Sequence, residues 1–502
     1  MHEPTLNRRH RFITRATVVT NIGLLLGSVL AAVMFAYFVY HYGWARDRQF
    51  NAWYYAILYY GLPLGVAILL LFSLRLPSHQ KINLFVFLVA STASVYGSEL
   101  LIDSMRSSQF ASPLPVMTVL DRSDDKQRDA AALKRQWNVD IDTRTGTEFI
   151  AALRERSVDA VPIISPSNQL LIDQPDRSVK SAIFLDGQEL VPLGAVSRRI
   201  TVFCNESGQF MSYKSDDHGF NNPNDVWSSD RLAVAALGDS FAHGYCVPAD
   251  RNFVALIRQR HPRTLNLGMA GYGPILALAT LKEYLPRFEP RIVLWFFYEG
   301  NDLIDLERER RTALLMNYLR DGFTQPKLAR QADLDRAILD QIPRLKALEE
   351  TRRRIRNDNR RAAAVPDFLR LSRLRERLAL VGGAGPEDTS LADPRGANIN
   401  VLRQILLDAK TQTEGWGGKL IFVYLPDWTR YTRYYSGATA SARAEVVKLV
   451  RGLAIPIVDI NAAFQAHGDP LSLFPFRREG HYNEAGHRVV ADEVLRALTD
   501  AD

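Results

Sequence analysis

The chain has 502 residues, enough for more than one folding unit and for a large hydrophobic core. Its 62 lysines and arginines against 55 aspartates and glutamates give a net charge of +7, which is spread along the chain without a nucleic-acid-binding module. The only two cysteines, Cys204 and Cys246, lack metal-ligand spacing, and no phosphate-binding glycine loop or internal repeat is present. We therefore expect no nucleic-acid partner, no metal and no cofactor.

The first hundred residues contain three long apolar runs. Residues 17–40 and 52–74 carry no charge, and residues 82–102 carry only Glu99. About 20 apolar residues suffice to span a bilayer, so we predict three transmembrane helices within 17–102, after a basic tail over 1–16. A cleaved signal peptide is the alternative for the first run, but that run is too long and no small-x-small cleavage site follows it. A buried helical hairpin of a soluble protein is the alternative for the group.

Basic residues flank these runs unevenly. Four arginines between residues 8 and 15 precede the first run, and Arg75 and Lys81 lie between the second and third. The positive-inside rule assigns both segments to the cytoplasm, although Arg46 and Arg48 in the first loop weaken the asymmetry. Tryptophans and tyrosines at 44, 53–55, 59 and 60 fit an outer interfacial belt. We predict a multi-pass protein of the inner (cytoplasmic) membrane whose chain after about residue 103 is periplasmic or extracellular.

Residues 103–231 combine two patterns. Strand-like runs at 116–120 and 158–164 alternate with helical runs at 124–137 and 147–156, which predicts a small α/β unit. Shorter strands at 182–185 and 200–203 favour antiparallel pairing. We interpret Asp216, Asp217 and His218 as part of a polar loop that packs on a sheet edge. The whole segment is predicted to be an extracytoplasmic α/β and β-rich subdomain.

From residue 232 to 502 strands alternate with helices. An apolar run over 232–237 leads directly into Gly238-Asp239-Ser240-Phe241, so a strand buried on both faces presents a serine at its carboxyl end. Strand-like runs follow at 264–268, 291–298, 419–425 and 455–460, with helical runs at 253–260 and 275–285. This alternation predicts a parallel sheet with helices on both faces.

Four short blocks of this region resemble the SGNH hydrolase family, the GDSL-type esterases and lipases. They are Gly238-Asp-Ser-Phe, residues 266–271 (Asn-Leu-Gly-Met-Ala-Gly), Gly300-Asn-Asp, and His481 before the last helix. The resemblance covers residues 231–305 and 417–497, and it implies a three-layer α/β/α, flavodoxin-like fold. It further implies that Ser240 is the nucleophile and His481 the base. The implied oxyanion donors are the Ser240 N–H, the Gly271 N–H and the Asn301 amide.

One position departs from the family pattern. The common acid lies three residues before the histidine, where this chain has Arg478. Glu479 occupies the position that some members use instead, so we predict Glu479 as the acid that orients His481. Loss of this carboxylate need not abolish activity, because a base depends more on geometry than on its orienting partner.

Three nearby residues have competing interpretations. Asp239 is a second candidate acid, but we interpret it as bracing the turn. His243 and His487 are further candidate bases. His243 lies too close to Ser240 in sequence to reach back, and His487 follows a glycine on the closing helix, which favours packing.

The two cysteines both fall in the part predicted to lie outside the cytoplasm, where disulfides persist. A Cys204–Cys246 bridge would join the β-rich segment to the loop behind the nucleophile. Two unrelated buried residues are the alternative.

A helical insertion over about 303–417 separates the two parts of the sheet. Residues 352–377 are dense in arginine. This stretch is either a solvated helical face or a docking surface for anionic lipid headgroups or an acidic glycan.

The sequence therefore predicts a membrane-anchored serine ester hydrolase that acts on O-acyl groups, most simply O-acetyl, of an envelope glycan or lipid. An O-acyltransferase is the alternative with the same chemistry, and it would need a membrane partner that supplies activated acyl groups. A non-catalytic glycan-binding or assembly protein on this scaffold is the alternative of a different class. Arg478 keeps that alternative open, while the retained Ser240 and His481 argue against it.

Overall fold

The computed structural model describes residues 3–40, 60–109, 133–172, 179–228, 231–325, 327, 329–344, 347, 394–432 and 437–499. Contacts divide the chain into two compact units, residues 1–107 with 362–381, and residues 108–361 with 382–502. Three predicted features lie outside the described residues: the strand at 116–120, most of the aromatic belt, and the arginine-rich stretch 352–377.

The described part of the first unit consists of apolar helices. Segments Thr14–Phe38 and Ser78–Leu101 are long and apolar enough to cross a bilayer, and only 22% and 6% of their most apolar windows are buried. The helix in the second predicted run is described over 12 residues only. Two of the three predicted runs are thus helices of spanning length. The helices are α1 (Glu3–Phe38), α2 (Leu62–Ser73) and α3 (Ser78–Gln109).

Small residues let these helices approach closely. The Ser28 hydroxyl donates to the Ala67 carbonyl at 2.8 Å, which joins α1 to α2. A Cβ on Gly23 would lie 2.2 Å from the Phe85 ring, so the lack of a side chain there allows this close contact between α1 and α3. Such contacts are typical of helices that pack within a membrane.

The second unit begins with a small mixed sheet. Its strand order is β1-β6-β7, with β1 parallel to β6 and β6 antiparallel to β7. Thr145 and Glu148 form a reciprocal capping box at the start of the neighbouring helix, whose Ile150 packs against this sheet. Two hairpins, β2–β3 and β4–β5, complete this region. The bounds are α4 (Gly146–Glu155), β1 (Ala160–Pro162), β2 (Leu170–Ile172), β3 (Val179–Ser181), β4 (Ile183–Leu185), β5 (Gln188–Leu190), β6 (Ile200–Cys204) and β7 (Met211–Lys214).

The main sheet has five strands in the order β12-β11-β10-β8-β9, and all of its pairings are parallel. Side chains of β10 alternate between two cores: Trp295 and Phe297 on one face, Leu294 and Phe296 on the other. The prediction of a parallel sheet covered on both faces is confirmed. The strands are β8 (Val234–Leu237), β9 (Thr264–Asn266), β10 (Ile292–Tyr298), β11 (Lys419–Leu425) and β12 (Ile457–Asp459).

The helices around this sheet connect successive strands and cover its faces. They are α5 (Ser240–His243), α6 (Phe253–Arg260), α7 (Pro274–Tyr284), α8 (Asp302–Glu309), α9 (Ala313–Met316), α10 (Pro394–Gly415), α11 (Gly437–Gly452), α12 (Ile460–Ala466) and α13 (Glu484–Thr499).

Asp216 organises the loop that leads from the small sheet to the main one. Its buried carboxylate accepts hydrogen bonds from the backbone N–H groups of His218 and Phe220, from the Asn222 amide and from the Trp227 indole, at 2.7–2.8 Å. Burial raises the pKa of Asp216 to about 6, against the opposing effect of these donors. The role of Asp216 is therefore to satisfy buried donors, in line with the packing interpretation.

Asp216→Ala is expected to destabilise the second unit by about 3 kcal/mol or more, because four donors would lose their acceptor at once. Thermal unfolding of the detergent-purified chain, followed by tryptophan fluorescence, measures the effect. The matched control is Asp217→Ala, whose ion pair with Arg198 lies at the surface and contributes about 0–1 kcal/mol. Equal melting temperatures for the two variants would contradict this role.

Candidate active site

Ser240 lies directly after β8, at the carboxyl end of the main sheet. Gly238 has φ +152°, and a Cβ there would lie 2.9 Å from the Phe296 carbonyl oxygen, so the turn into the serine requires glycine. The Asp239 carboxylate accepts the Phe241 N–H at 2.9 Å and caps the short helix α5. Asp239 thus braces the turn, and Ser240 is held rigidly as the first residue of that helix.

His481 lies in the loop before α13 and meets Ser240 directly. The distance between its Nε2 and the Ser240 Oγ is 2.8 Å. Its ring packs against Phe241 and Tyr245, and its centroid lies 4.8 Å from each of their ring centroids. The structure therefore brings together the predicted nucleophile and the predicted base, which are 241 residues apart in sequence.

The carboxylate that contacts His481 is Glu206, and the prediction of Glu479 is wrong on this point. Both Glu206 oxygens lie 3.1 Å from the His481 Nδ1, and the His481 backbone N–H donates to Oε2 at 2.9 Å. Gly480 allows this approach, since a Cβ there would lie 2.7 Å from the Glu206 carboxylate. Glu206 follows β6 of the small sheet, so the site is assembled from both sheets.

Glu479 is exposed at the protein surface and makes no such contact. Burial raises its pKa to about 7, and the charges of Asp427 and Glu206 act in the same direction. A carboxyl with this pKa is a poor choice for stabilising a cationic histidine, because it is partly protonated at neutral pH.

The electrostatics around His481 favour its charged form. Burial alone lowers the pKa of His481, but the charge of Glu206, the hydrogen bond to Glu206 and the charge of Asp239 outweigh it, so the pKa lies above the ordinary value. Burial also raises the pKa of Asp239 to about 6, opposed by the Phe241 N–H, by His481 and by Asn301. A carboxylate at Nδ1 fixes the proton there and leaves Nε2 free to accept the serine proton.

Two of the predicted oxyanion donors, Gly271 and Asn301, are connected through neighbouring residues to the turn that carries Ser240. The Met269 N–H donates to the Gly238 carbonyl at 3.1 Å, which ties the Gly271 turn to the nucleophile turn. Gly271 has φ +77°, and a Cβ there would lie 2.1 Å from the Ser167 Oγ. The Asn301 side chain acts on Asp239, the residue before the nucleophile, and lowers its pKa.

The two cysteines form a disulfide, with Cα atoms 5.1 Å apart. It joins the end of β6 to the loop after α5. The sulfurs and the Glu206 carboxylate lie within 4.8 Å of one another. Because the sulfurs are bonded to each other, this group offers no thiolate to a metal.

The other two candidate histidines are packing residues. Burial lowers the pKa of His243 and of His487 to about 3. The His487 Nδ1 accepts the Phe253 N–H at 3.1 Å, whereas neither ring nitrogen of His243 has a hydrogen-bond partner among the described residues.

Sequence reasoning missed Glu206. No motif marks Cys204-Asn-Glu-Ser as functional, and this segment lies outside the blocks that carry the family resemblance. The signal that was available is indirect: a bridge from Cys204 to Cys246 would have brought Glu206 close to the nucleophile loop.

Solved structures that are similar to part of this chain include lipolytic proteins and esterases. A G-D-S-L lipolytic protein from Veillonella parvula gives 13% identity over 53% of this chain and 97% of its own, with a TM-score of 0.28. A putative lipolytic protein of the G-D-S-L family from Desulfitobacterium hafniense shares 11% identity with this chain. The match covers 52% of this chain and 97% of that protein, with a TM-score of 0.27. An acetyl xylan esterase shares 11% identity with this chain. The match covers 53% of this chain and 98% of that esterase, with a TM-score of 0.29. No curated protein matches the chain.

The family assignment rests on a separate match. The model of the GDSL-like lipase/acylhydrolase family matches residues 236–489, half of the chain, and this span includes Ser240, Gly271, Asn301 and His481. The chain belongs to the GDSL-like lipase/acylhydrolase family and is a hydrolase of ester bonds.

Proposed function

We propose that Ser240, His481 and Glu206 form an acyl-transfer triad. The observation that carries the proposal is the continuous line of contacts, 3.1 Å from Glu206 to Nδ1 and 2.8 Å from Nε2 to the Ser240 hydroxyl. His481 takes the serine proton as Ser240 attacks the ester carbonyl. Glu206 stabilises the imidazolium that forms, and His481 then returns the proton to the leaving alcohol.

Negative charge on the former carbonyl oxygen would be met by the Ser240 N–H, the Gly271 N–H and the Asn301 amide. Donors fixed before reaction stabilise that charge without reorganisation, and losing one typically costs about 10²–10³ in rate. A water molecule then resolves the acyl-enzyme through the same histidine.

The first unit acts as a membrane anchor in this proposal. Leu30, Leu69 and Phe87 are 65–70% exposed on its helices. Apolar surface of this extent is not stable in water, and helices in the core of a soluble protein would be mostly buried. Lipid is the simplest cover for it.

The catalytic unit is proposed to lie outside the cytoplasm. Lys81 donates to the Asn21 side chain and to the Leu74 carbonyl, both at 3.1 Å. These bonds join the loop that contains Arg75 to the part of α1 just past Arg15. The basic residues of both segments therefore lie at the same end of the helices, which supports a cytoplasmic location for that end. The disulfide supports the same orientation, since such bonds persist in oxidising compartments.

A reporter enzyme fused after Leu120 is expected to be active only outside the cytoplasm, and one fused at Pro77 only inside it. Alkaline phosphatase and green fluorescent protein fusions at both positions measure this. The reverse pattern would reject both the orientation and an envelope substrate.

We propose O-acetyl groups on an envelope glycan as the substrate. The hydroxyls of Ser165 and Ser167, 3.0 Å apart, lie against Gly271 and give the site a neutral, polar wall suited to sugar hydroxyls. Ser240 and His481 are buried, which favours a short acyl group over a long one.

The full chain in detergent is expected to release acetate from O-acetylated polysaccharide. It is also expected to prefer acetyl over octanoyl esters by about tenfold or more, because one methylene group in a tight pocket changes the rate by about 10–200-fold. Acetate assay and a p-nitrophenyl ester series measure this. Preference for long acyl chains would reject the glycan substrate. Acetyl transfer to added oligosaccharide in place of acetate release would identify an acyltransferase.

A further inference from the structure

The disulfide occupies a position that matters for the chemistry of His481. Cys204 ends β6, and Glu206, two residues later, donates its N–H to the Cys204 sulfur at 3.4 Å. Cys246 follows Ser240 by six residues, and its sulfur lies 3.7 Å from the His481 Nδ1. One covalent bond therefore joins the segment that carries the acid to the loop that carries the nucleophile, right beside the base.

The neighbours of Nδ1 decide which ring nitrogen holds the proton. Two of them are the carboxylate oxygens of Glu206, and the third is the Cys246 sulfur. A disulfide sulfur has no hydrogen, so all three are acceptors. Nδ1 must then carry the proton, and Nε2 keeps the lone pair that the Ser240 hydroxyl needs.

We infer that the Cys204–Cys246 disulfide is a positioning element for His481: when oxidised it holds Glu206 on Nδ1 and keeps a competing donor away, and when reduced it disables the base. This inference rests on the proposed function and adds redox control to that same site.

Reduction would change the site chemically. A dithiol that transfers two electrons and two protons breaks the S–S bond, leaves a thiol on each cysteine and becomes a cyclic disulfide itself. The Cys246 thiol has an ordinary pKa of about 8.5 and would be protonated at neutral pH. Cys246 is 1% exposed and packed in the main core, so its sulfur stays within reach of Nδ1.

An S–H group donating to Nδ1 would reverse the tautomer. Nδ1 would become the acceptor, the proton would sit on Nε2, and Nε2 could no longer accept the Ser240 proton. Glu206 would also lose the bond that fixes its loop. The charged or titratable groups that act on His481 or respond to it are Glu206, Asp239, Cys246, His243 and His487, with Tyr245 packed on its ring.

The test compares two single variants of the full chain, purified in detergent without reductant. Cys204→Ala leaves a thiol beside Nδ1, and Cys246→Ala does not, although both lose the bridge. We expect kcat for a small acetyl ester to fall roughly 10²–10³-fold in Cys204→Ala, with KM little changed, and only about tenfold in Cys246→Ala. Wild-type enzyme treated with dithiothreitol should match Cys204→Ala and recover on reoxidation.

A second readout does not depend on turnover. Diethyl pyrocarbonate modifies neutral histidine, and mass spectrometry of the His481 peptide against pH reports its pKa. We expect this pKa to be lower in reduced than in oxidised protein, because an S–H group that donates to Nδ1 stabilises the neutral form of the imidazole. The reduction arm needs no substitution, so misfolding of a variant does not affect it.

Full activity in protein shown by mass spectrometry to be reduced would overturn the inference. Equal losses in the two cysteine variants would overturn the tautomer step. The proposed function would be rejected instead if oxidised wild-type enzyme showed neither turnover nor phosphonate labelling of Ser240. In that case the inference is tested by the His481 titration alone, and a pKa that does not change on reduction would reject it.

Discussion

Ser240→Ala and His481→Ala are each expected to lower kcat for a small acetyl ester by roughly 10⁴–10⁶, and the double variant is expected to be no worse than either. The reason is the 2.8 Å contact between Ser240 Oγ and His481 Nε2, which makes nucleophile and base act as one unit. Neither can generate the acyl-enzyme without the other. Steady-state assay of the full chain in detergent measures the loss, and a fluorophosphonate probe should label wild-type Ser240 only.

His467→Ala is the matched control for the histidine change. His467 follows the last residue of α12 as its C-cap, is exposed and lies outside the site, so its removal should leave kcat within about twofold. Residual activity above one per cent in Ser240→Ala, with a folded protein, would mean that another residue is the nucleophile. Retained fluorophosphonate labelling of that variant would lead to the same conclusion.

The sheet and its nucleophile could be predicted because their determinants are local. Uninterrupted apolar runs mark strands buried on both faces, and the turn into Ser240 depends on Gly238, a neighbour in sequence. The structure also agrees with the interpretation of Asp239 as a brace for the turn and of His487 as a packing residue. Asp239 caps the helix that starts at the next residue, and His487 lies on α13, within the core.

The acid could not be predicted because it depends on the pairing of two sheets. Glu206 and His481 are 275 residues apart, and Glu206 follows a five-residue strand of a separate sheet. Because β1 and β6 are parallel, their carboxyl ends share one edge, which presents Ser165 and Glu206 to the site. A one-residue shift in that register would move the side chains to other positions, and nothing in the local pattern fixes it.

The N-terminal apolar helices show the opposite limit. Length and apolarity predict helices well, and α1 and α3 follow the predicted runs. The uneven distribution of basic residues between the loops predicts orientation only statistically. Lys81 contributes to this asymmetry, yet its side chain is buried and donates to the Asn21 side chain and the Leu74 carbonyl. Its bonds could be seen only in the structure.

Glu206→Gln is expected to lower kcat by roughly 10²–10⁴, the range for removing the charge that orients a catalytic histidine. It should also shift the pH dependence. The charge of Glu206 raises the pKa of His481, so without it burial dominates and the pKa falls. Since the base must be neutral, activity rises with pH through that pKa, and the acid limb of kcat/KM should move to lower pH. Rate measurements between pH 4 and 9 test both effects.

Glu479→Gln separates this assignment from the one based on sequence position. Glu479 lies two residues before His481 but does not contact its ring, and its raised pKa makes it partly protonated near neutral pH. We expect kcat within about threefold of wild type and an acid limb that moves little. A large loss in Glu479→Gln with near-normal rates in Glu206→Gln would reverse the assignment, since the acid would then reach His481 from its own loop. An unshifted acid limb in Glu206→Gln, even with a lower kcat, would mean that Glu206 supports the loop without acting on the imidazole.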